Sequence, residues 1–132
     1  MLVGVDLKKD TRLLDAAYND SAGITAEFIL NLLTRMNREL DADFSLDRFE
    51  YEAFYNPEAG RVELYIRSRV DQIVTVAGQR IGFAAGERIL AEYSYKYEVE
   101  EFRRLAERAG YTGRDCWIDP DRLFSVHYLV AQ

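Results

Sequence analysis

Three polar side chains recur at every second position in the stretch Ile89–Tyr97. Glu92, Ser94 and Lys96 supply a carboxylate, a hydroxyl and an amine. Successive side chains of a β-strand point to opposite faces, so this alternation predicts a strand with the three polar groups on one face. A carboxylate and a hydroxyl at this spacing can take hydrogen bonds from two donors of one small ligand, such as an imidazole ring or an amine.

The tyrosines of the same stretch are expected on its other face. Tyr93, Tyr95 and Tyr97 alternate with the polar residues and continue an apolar line that begins at Ile89 and Ala91. One face of the strand is therefore expected to pack, while the other presents the polar row. The alternation is also typical of any half-buried antiparallel strand with a solvated polar side, so the pattern leaves both interpretations open.

The composition excludes several classes of function. The chain has 132 residues, about one domain, and 48% of them are hydrophobic. A formal net charge of -6, with basic residues scattered among acidic ones, argues against a nucleic-acid partner. The single cysteine, Cys116, excludes an internal disulfide framework, and the single histidine, His127, removes most zinc schemes. No apolar run approaches the ~20 residues of a membrane span and no leader precedes the first strand, so a cytoplasmic protein without membrane contact is expected.

Helical spacing of apolar residues predicts three helices. Asp10 is the expected N-cap of a first helix that ends at Tyr18, beside a Gly-containing turn. A second helix is predicted from about Thr25 to Leu40 and a third from Glu98 to Ala109. The position of Tyr18 at a helix end lets its phenol either reach into a cleft or pack with its hydroxyl in water.

Strands are predicted in the middle of the chain and at both of its ends. The middle is expected to form one antiparallel sheet of about five strands, built from two hairpins and the stretch that contains Glu92. Its strands are predicted at residues 49–55, 61–70, 72–76, 79–83 and 89–97. The apolar run at residues 1–7 suits a strand covered on both faces, whose neighbours come from later strands or from outside this sequence. The fold class is therefore α+β, a mainly antiparallel sheet with three helices.

Five stretches, spread from the first predicted strand to the last, carry a resemblance to a known family. They are Val5–Asp10, Ala17–Phe28, Asn37–Leu40, Ala91–Tyr97 and Leu123–Tyr128. In these stretches the chain resembles the C-terminal half of the histidine-specific, S-adenosylmethionine-dependent N-methyltransferases. Enzymes of that family trimethylate the α-amine of histidine on the route to ergothioneine. The block Ala17–Phe28 is the most specific of the five.

The resemblance implies a division of the chain and a set of site residues. Residues 10–112 correspond to a substrate-recognition domain, and residues 1–9 and 113–132 to terminal strands of a truncated, Rossmann-like methyltransferase domain. By position, Tyr18 looks like the phenol that holds the substrate carboxylate, while Glu92 and Ser94 look like the pair that binds the imidazole. Leu64 falls where some relatives have a methionine against the substrate ring.

The resemblance also implies that part of the family's active site lies upstream of this sequence. The cofactor-binding loop and an asparagine that contacts the substrate belong to that part, so no S-adenosylmethionine site and no catalytic residue is assigned here. Because methyl transfer needs both reactants held in line, this chain is expected to be the substrate-recognition half of a histidine methyltransferase that needs an N-terminal half. The alternatives are a non-catalytic binding module for an amino acid and a domain that covers its exposed sheet edges by self-association.

Overall fold

The structure is a computed structural model that describes all residues from Met1 to Gln132. Its elements, in chain order, are β1 (Leu2–Asp6), α1 (Thr11–Tyr18), α2 (Ile24–Glu39), a short 3-10 turn (Leu46–Arg48), β2 (Phe49–Asn56), β3 (Arg61–Ser68), β4 (Gln72–Val76), β5 (Gln79–Phe83), β6 (Arg88–Tyr95), α3 (Val99–Arg108), β7 (Tyr111–Ile118) and β8 (Phe124–Ala131). All strand pairs within the sheets are antiparallel, which confirms the predicted α+β class with three helices. None of the helices is long and apolar enough to cross a membrane.

The strands form three open sheets, in the orders β1-β8-β7, β2-β3-β6 and β4-β5. The prediction of one middle sheet of about five strands was wrong, because the β4-β5 hairpin pairs only with itself. Instead of extending the ladder, the hairpin folds onto the core, where Phe83 packs at 5.7 Å from Phe49 between ring centroids. Val74 of the same hairpin is almost fully buried in that core. Burial of one apolar face, together with hydrogen bonds of Thr75 and Ala77 to Asp43 and Leu40, therefore holds the hairpin without pairing to the larger sheet.

The sheet β1-β8-β7 joins strands from the two ends of the chain. β8 lies in the middle and is antiparallel to both neighbours, so β1 and β7 run in the same direction. The first strand thus has its one neighbour in the last strand, with Leu2 opposite Tyr128 and Asp6 opposite Phe124. α3 covers one face of this sheet, where Phe102 packs on the buried His127.

The main core lies between the sheet β2-β3-β6 and the helices α1 and α2. Its buried members are Leu14, Ile29, Leu33, Phe44, Phe49, Val62, Leu64, Ile66 and Val74. The predicted N-cap of α1 is confirmed, since the Asp10 side chain accepts a hydrogen bond from the Arg12 backbone N–H. The Asp20 carboxylate likewise accepts from the first N–H groups of α2, at Ile24 and Thr25. These bonds satisfy donors that a helix start otherwise leaves without partners.

Two side chains from the end of α1 hold the free edge of β2. The Asp15 carboxylate accepts the Tyr55 backbone N–H at 2.8 Å, and the Asn19 amide donates to the Ala53 carbonyl at 3.2 Å. Both groups of β2 face away from β3, where an edge strand has no ladder partner. The contact therefore fixes the end of α1, and with it Tyr18, against the sheet.

β6 contains a bulge at Ala91 that changes which side chains face the core. Glu92 lies opposite Leu64, whereas Leu90 lies opposite the next residue, Tyr65, so Ala91 is an extra residue in the ladder. An extra residue shifts the alternation of a strand by one position. Ile89 faces the core before the bulge, and the polar row faces it after the bulge.

The prediction that the tyrosines share a face with Ile89 was therefore wrong. Tyr93 and Tyr95 lie on the outer face of the sheet and are 39% and 46% exposed. The Arg61 guanidinium lies 3.6 Å from the centroid of the Tyr93 ring and donates a hydrogen bond to the Tyr95 hydroxyl. Cation–π contact of this kind stabilises aromatic rings on a solvent-facing surface.

Candidate functional site

Tyr18 and Ser94 meet at one end of the main core, although 76 positions separate them in the sequence. The Tyr18 hydroxyl oxygen lies 2.7 Å from the Ser94 hydroxyl oxygen. Tyr18 is the last residue of α1, and Ser94 lies in β6 just beyond the bulge. The structure thus brings together two of the residues that the sequence predicts for one substrate site.

Lys96 is the third member of this cluster. Its Nζ lies 2.7 Å from the Tyr18 hydroxyl oxygen and 2.9 Å from the Ser94 hydroxyl oxygen. The Lys96 residue is only 3% exposed, so the ammonium group is withdrawn from solvent. The sequence pattern places Lys96 in the polar row, but nothing in that pattern gives it a role at the site.

An ion pair with Asp6 compensates the buried charge of Lys96. Lys96 Nζ lies 2.9 Å from one Asp6 carboxylate oxygen, and Lys9 pairs with the other. Burial alone would raise the pKa of Asp6, but its bonds to Lys9 and Lys96 outweigh burial and lower that pKa. Burial alone would likewise lower the pKa of Lys96, but its bonds to Tyr18 and Asp6 raise it. Both groups are therefore charged at neutral pH.

The Asp6–Lys96 pair lies where the two larger sheets meet. Tyr97, just after β6, donates its backbone N–H to the Asp6 carbonyl at 3.2 Å and accepts from the Lys8 N–H at 3.0 Å. Leu7 and Tyr97 form an isolated parallel bridge at this point. The cluster of Tyr18, Ser94 and Lys96 is thus attached directly to the end of β1.

Glu92 lies on the same face as Ser94 but is exposed and makes no hydrogen bond or ion pair with another residue. It borders a small cavity of about 200 Å³ between α2 and β6. The lining residues are Phe28, Ile29, Asn31, Leu32, Arg35, Ala91 and Glu92. A carboxylate with no protein partner, beside exposed apolar side chains, can accept an N–H group from a ligand with an apolar ring.

Leu64 is the predicted site residue that the structure does not present to a ligand. It lies opposite Glu92 in the ladder, but only 1% of it is exposed, because it belongs to the main core. Leu64 therefore lies beside the polar row on the neighbouring strand, with its side chain enclosed by the core. A larger cleft of about 420 Å³, on the side of the junction near Gly60 and α3, contains none of the four predicted site residues.

Tyr51 supports the cluster from β2 and has no counterpart in the sequence prediction. Its hydroxyl donates a hydrogen bond to the Tyr18 carbonyl at 2.8 Å. Burial, together with the nearby acidic groups of Tyr18, Asp20 and Glu92, raises the pKa of Tyr51 to about 12. The phenol is therefore a neutral donor that holds the end of α1 in place.

We expect Asp6→Asn to reduce the decrease in the free energy of unfolding that accompanies a fall in pH. The pKa of Asp6 is lowered below its ordinary value of ~3.9, so the ionised form stabilises the fold above about pH 4, and this contribution is lost as the pH falls through the folded-state pKa. Loss of hydrogen bonds to charged groups should lower the free energy of unfolding at neutral pH by about 1.5 to 3 kcal/mol. Urea unfolding near neutral pH and near pH 3 measures the difference between the two proteins. An equal difference at both pH values would contradict the role of this carboxylate.

Residues 1–131 match the family model described as histidine-specific, SAM-dependent methyltransferase. A histidine N-alpha-methyltransferase of Mycolicibacterium smegmatis is 44% identical over 132 residues, which cover 98% of this chain and 41% of that relative. The corresponding Mycobacterium tuberculosis protein is 37% identical over 121 residues, 90% of this chain and 38% of the relative. An L-tryptophan methyltransferase of Psilocybe serbica is 29% identical over 135 residues, 99% of this chain and 37% of the relative.

The chain thus spans about two fifths of the length of these relatives. The matched region is the C-terminal part of the histidine methyltransferases. Both findings confirm the resemblance that the five sequence stretches carry.

Proposed function

The chain belongs to the histidine-specific, S-adenosylmethionine-dependent methyltransferase family, and we propose that it is the substrate-recognition part of such an enzyme. The contact between Tyr18 and Ser94 carries the proposal. The family resemblance assigns these two residues to one substrate, and their hydroxyl oxygens lie 2.7 Å apart despite their separation in the sequence. The cluster combines two partly buried hydroxyls with the buried ammonium group of Lys96, and a binding role would account for these polar groups at the end of the core.

The ligand we propose is histidine. The Tyr18 phenol would donate to its carboxylate, while Ser94 and Glu92 would bind the imidazole ring. Two relatives are named for histidine and one for tryptophan, so the ring is the point at which substrates of the family differ. Imidazole has two polar ring atoms and indole has one N–H donor, so a hydroxyl and a carboxylate in adjacent positions of one face favour imidazole.

The residues of this chain do not fit S-adenosylmethionine. Neither strand-to-helix connection, residues 7–10 after β1 and residues 96–98 after β6, carries a Gly-rich cofactor loop. We propose that the cofactor, which supplies the methyl group, is held by the region that precedes the matched part in the relatives. The residues of this chain would then bind the amino acid and orient its amine, since positioning accounts for much of the catalysis of such a transfer.

The region that would complete the enzyme has an uncovered sheet face to bind. Leu2, Trp117, Phe124 and Tyr128 are exposed, and the register of β1, β8 and β7 places them on the face opposite α3. We propose that residues 1–9 and 113–132 belong to the methyltransferase domain and residues 10–112 to the recognition domain, with the catalytic part covering this face. The free thiol of Cys116 fits a reducing, cytoplasmic location.

Calorimetric titration of the purified chain with histidine and with S-adenosylmethionine, separately and together, tests the proposal. We expect heat of binding from histidine alone and none from S-adenosylmethionine alone. The absence of histidine binding would contradict an autonomous recognition part.

The same apolar face favours a second candidate, a self-associating domain without a catalytic partner. Sedimentation equilibrium separates the two candidates. A stable dimer that binds no histidine supports self-association, whereas a monomer that binds histidine supports recognition.

A further inference from the structure

We propose that Lys96 is a positioning residue that makes the hydroxyls of Tyr18 and Ser94 hydrogen-bond donors, so that the site selects neutral imidazole over imidazolium. The inference rests on the proposed function, because it concerns the ligand of that site. It adds a role for Lys96, which contacts the two hydroxyls but not the ligand.

The donor capacity of Lys96 is fully used within the cluster. An ammonium group has three N–H donors and no acceptor. Its three neighbours are the Asp6 carboxylate at 2.9 Å, the Tyr18 hydroxyl at 2.7 Å and the Ser94 hydroxyl at 2.9 Å. Since Lys96 is buried, water does not compete for these contacts. Each hydroxyl oxygen therefore accepts a hydrogen bond from Lys96 and keeps its own hydrogen for another partner.

Without a ligand, one of those hydroxyl hydrogens is used between Tyr18 and Ser94 themselves. A ligand that separates the two oxygens meets two donors. The Tyr18 donor suits a carboxylate, and the Ser94 donor suits a ring nitrogen that carries a lone pair. Glu92, on the same face, is an acceptor for a ring N–H. One donor and one acceptor match neutral imidazole, which has one N–H and one bare nitrogen.

An imidazolium ring would be opposed by Lys96 in two ways. It has an N–H at both nitrogens, so Ser94 would have to turn its hydrogen aside and accept on its one remaining lone pair, next to the N–H of Lys96. The ammonium charge of Lys96 would also repel it, which counters the attraction that the Glu92 carboxylate exerts on a cationic ring. The other ionisable groups that face the cluster are Asp6 and Lys9 at the end of β1, Asp20 in the turn after α1, Tyr51 in β2 and Glu92 in β6. Removal of Lys96 leaves all of these groups in place.

The test is the pH dependence of histidine binding by the unaltered chain and by Lys96→Met. Dissociation constants are measured by calorimetry near pH 8 and near pH 5.5, on either side of the imidazole pKa of ~6.5. The unaltered chain should bind about tenfold more weakly at the lower pH, because the neutral ring is then about a tenth of the total. In Lys96→Met the loss should be about threefold or less, since neither the charge nor the fixed donor opposes the cation.

Lys9→Met is the matched control. It makes the same change of residue and also removes an ion pair to Asp6, but Lys9 contacts neither Tyr18 nor Ser94. It should keep the pH ratio of the unaltered chain. The single histidine of the chain, His127, has a pKa lowered by burial and is identical in all three proteins, so its titration does not alter the comparison. If thermal unfolding shows that Lys96→Met does not fold, Lys96→Gln removes the charge but keeps an N–H donor, and its pH ratio should lie between those expected for the unaltered chain and for Lys96→Met.

The possible outcomes separate this inference from the proposed function. A smaller pH ratio in Lys96→Met but not in Lys9→Met supports the assignment. Histidine binding with an unchanged ratio in Lys96→Met overturns it and leaves the recognition role intact. Equal reductions in both variants also overturn it, because the effect would then come from Asp6. Failure of the unaltered chain to bind histidine refutes the recognition role and this inference with it.

Discussion

Glu92→Ala is expected to weaken histidine binding by about ten- to hundredfold while leaving the fold unchanged. A hydrogen bond to a charged group contributes about 1.5 to 3 kcal/mol, and each 1.4 kcal/mol is about a tenfold change in the dissociation constant. The fold should be unaffected, because the Glu92 side chain is exposed and bonds to no other residue. Calorimetry measures the affinity, and thermal unfolding of the same sample measures stability.

Glu107→Ala provides the control for this variant. Glu107 is an exposed glutamate on α3 whose side chain makes no hydrogen bond, and it lies away from the polar row of β6. Its replacement removes the same net charge and should leave histidine affinity within about twofold, because screening by salt is strong at that distance. Equal losses in the two variants would show that the site senses only net charge, against a direct role for Glu92.

Leu14→Ala is expected to lower the free energy of unfolding by about 2 to 5 kcal/mol. Leu14 is the one buried residue of α1 and packs in the main core. A leucine-to-alanine change there removes buried apolar surface and leaves a cavity, against a typical total stability of about 5 to 15 kcal/mol. Because α1 ends at Tyr18, looser packing of this helix should also weaken histidine binding. Urea unfolding and calorimetry measure the two effects.

Leu13→Ala is the matched control in the same helix. Leu13 is 55% exposed, so its truncation should change the unfolding free energy by less than about 0.5 kcal/mol. Similar losses in the two variants would mean that α1 is held by something other than the insertion of Leu14 into the core.

The helices could be predicted from the sequence because their signals are local. Apolar residues at helical spacing and the cap at Asp10 lie within one or two turns of the helix that they specify. The observed α1, Thr11–Tyr18, begins and ends where the sequence predicts, and α2 and α3 differ from their predicted ends by one residue. Both predicted hairpins also form, since their turns lie between well-alternating strands.

The number of sheets and the faces of β6 could not be predicted in the same way. Both depend on pairing between distant segments, which composition does not encode. The bulge at Ala91 is visible only in the register between β6 and β3, where Glu92 and Leu90 lie opposite adjacent residues. Strict alternation predicts that Ile89 and Tyr93 lie on the same face of the strand. One extra residue between them is enough to make this prediction fail.

The candidate site could be predicted from the sequence only in part. The two-residue spacing of Glu92 and Ser94 predicts a shared face, and the structure has it. The assignment of Tyr18 and Ser94 to one substrate site came from the family resemblance, since the residues themselves left the position of the phenol open, and the direct contact between them comes from the structure. The ion pair of Lys96 with Asp6 has no local signal at all, because it joins the first strand to the residue that follows the sixth. Long-range contacts of this type are where the structure adds most to the sequence.

The bulge at Ala91 also determines how this segment tolerates insertions and deletions. Ala91 is the extra residue of the bulge, so its deletion would leave a regular strand in which Ile89 and Glu92 are two positions apart. Their side chains would therefore still lie on the same face. A deletion at Tyr93 would differ, since Glu92 and Ser94 would become neighbours that point in opposite directions. Deletion of one residue at Ala91 should thus leave the ligand-binding face unchanged, whereas deletion at Tyr93 should destroy it. An alignment of relatives should place any single-residue gap in this strand at the bulge.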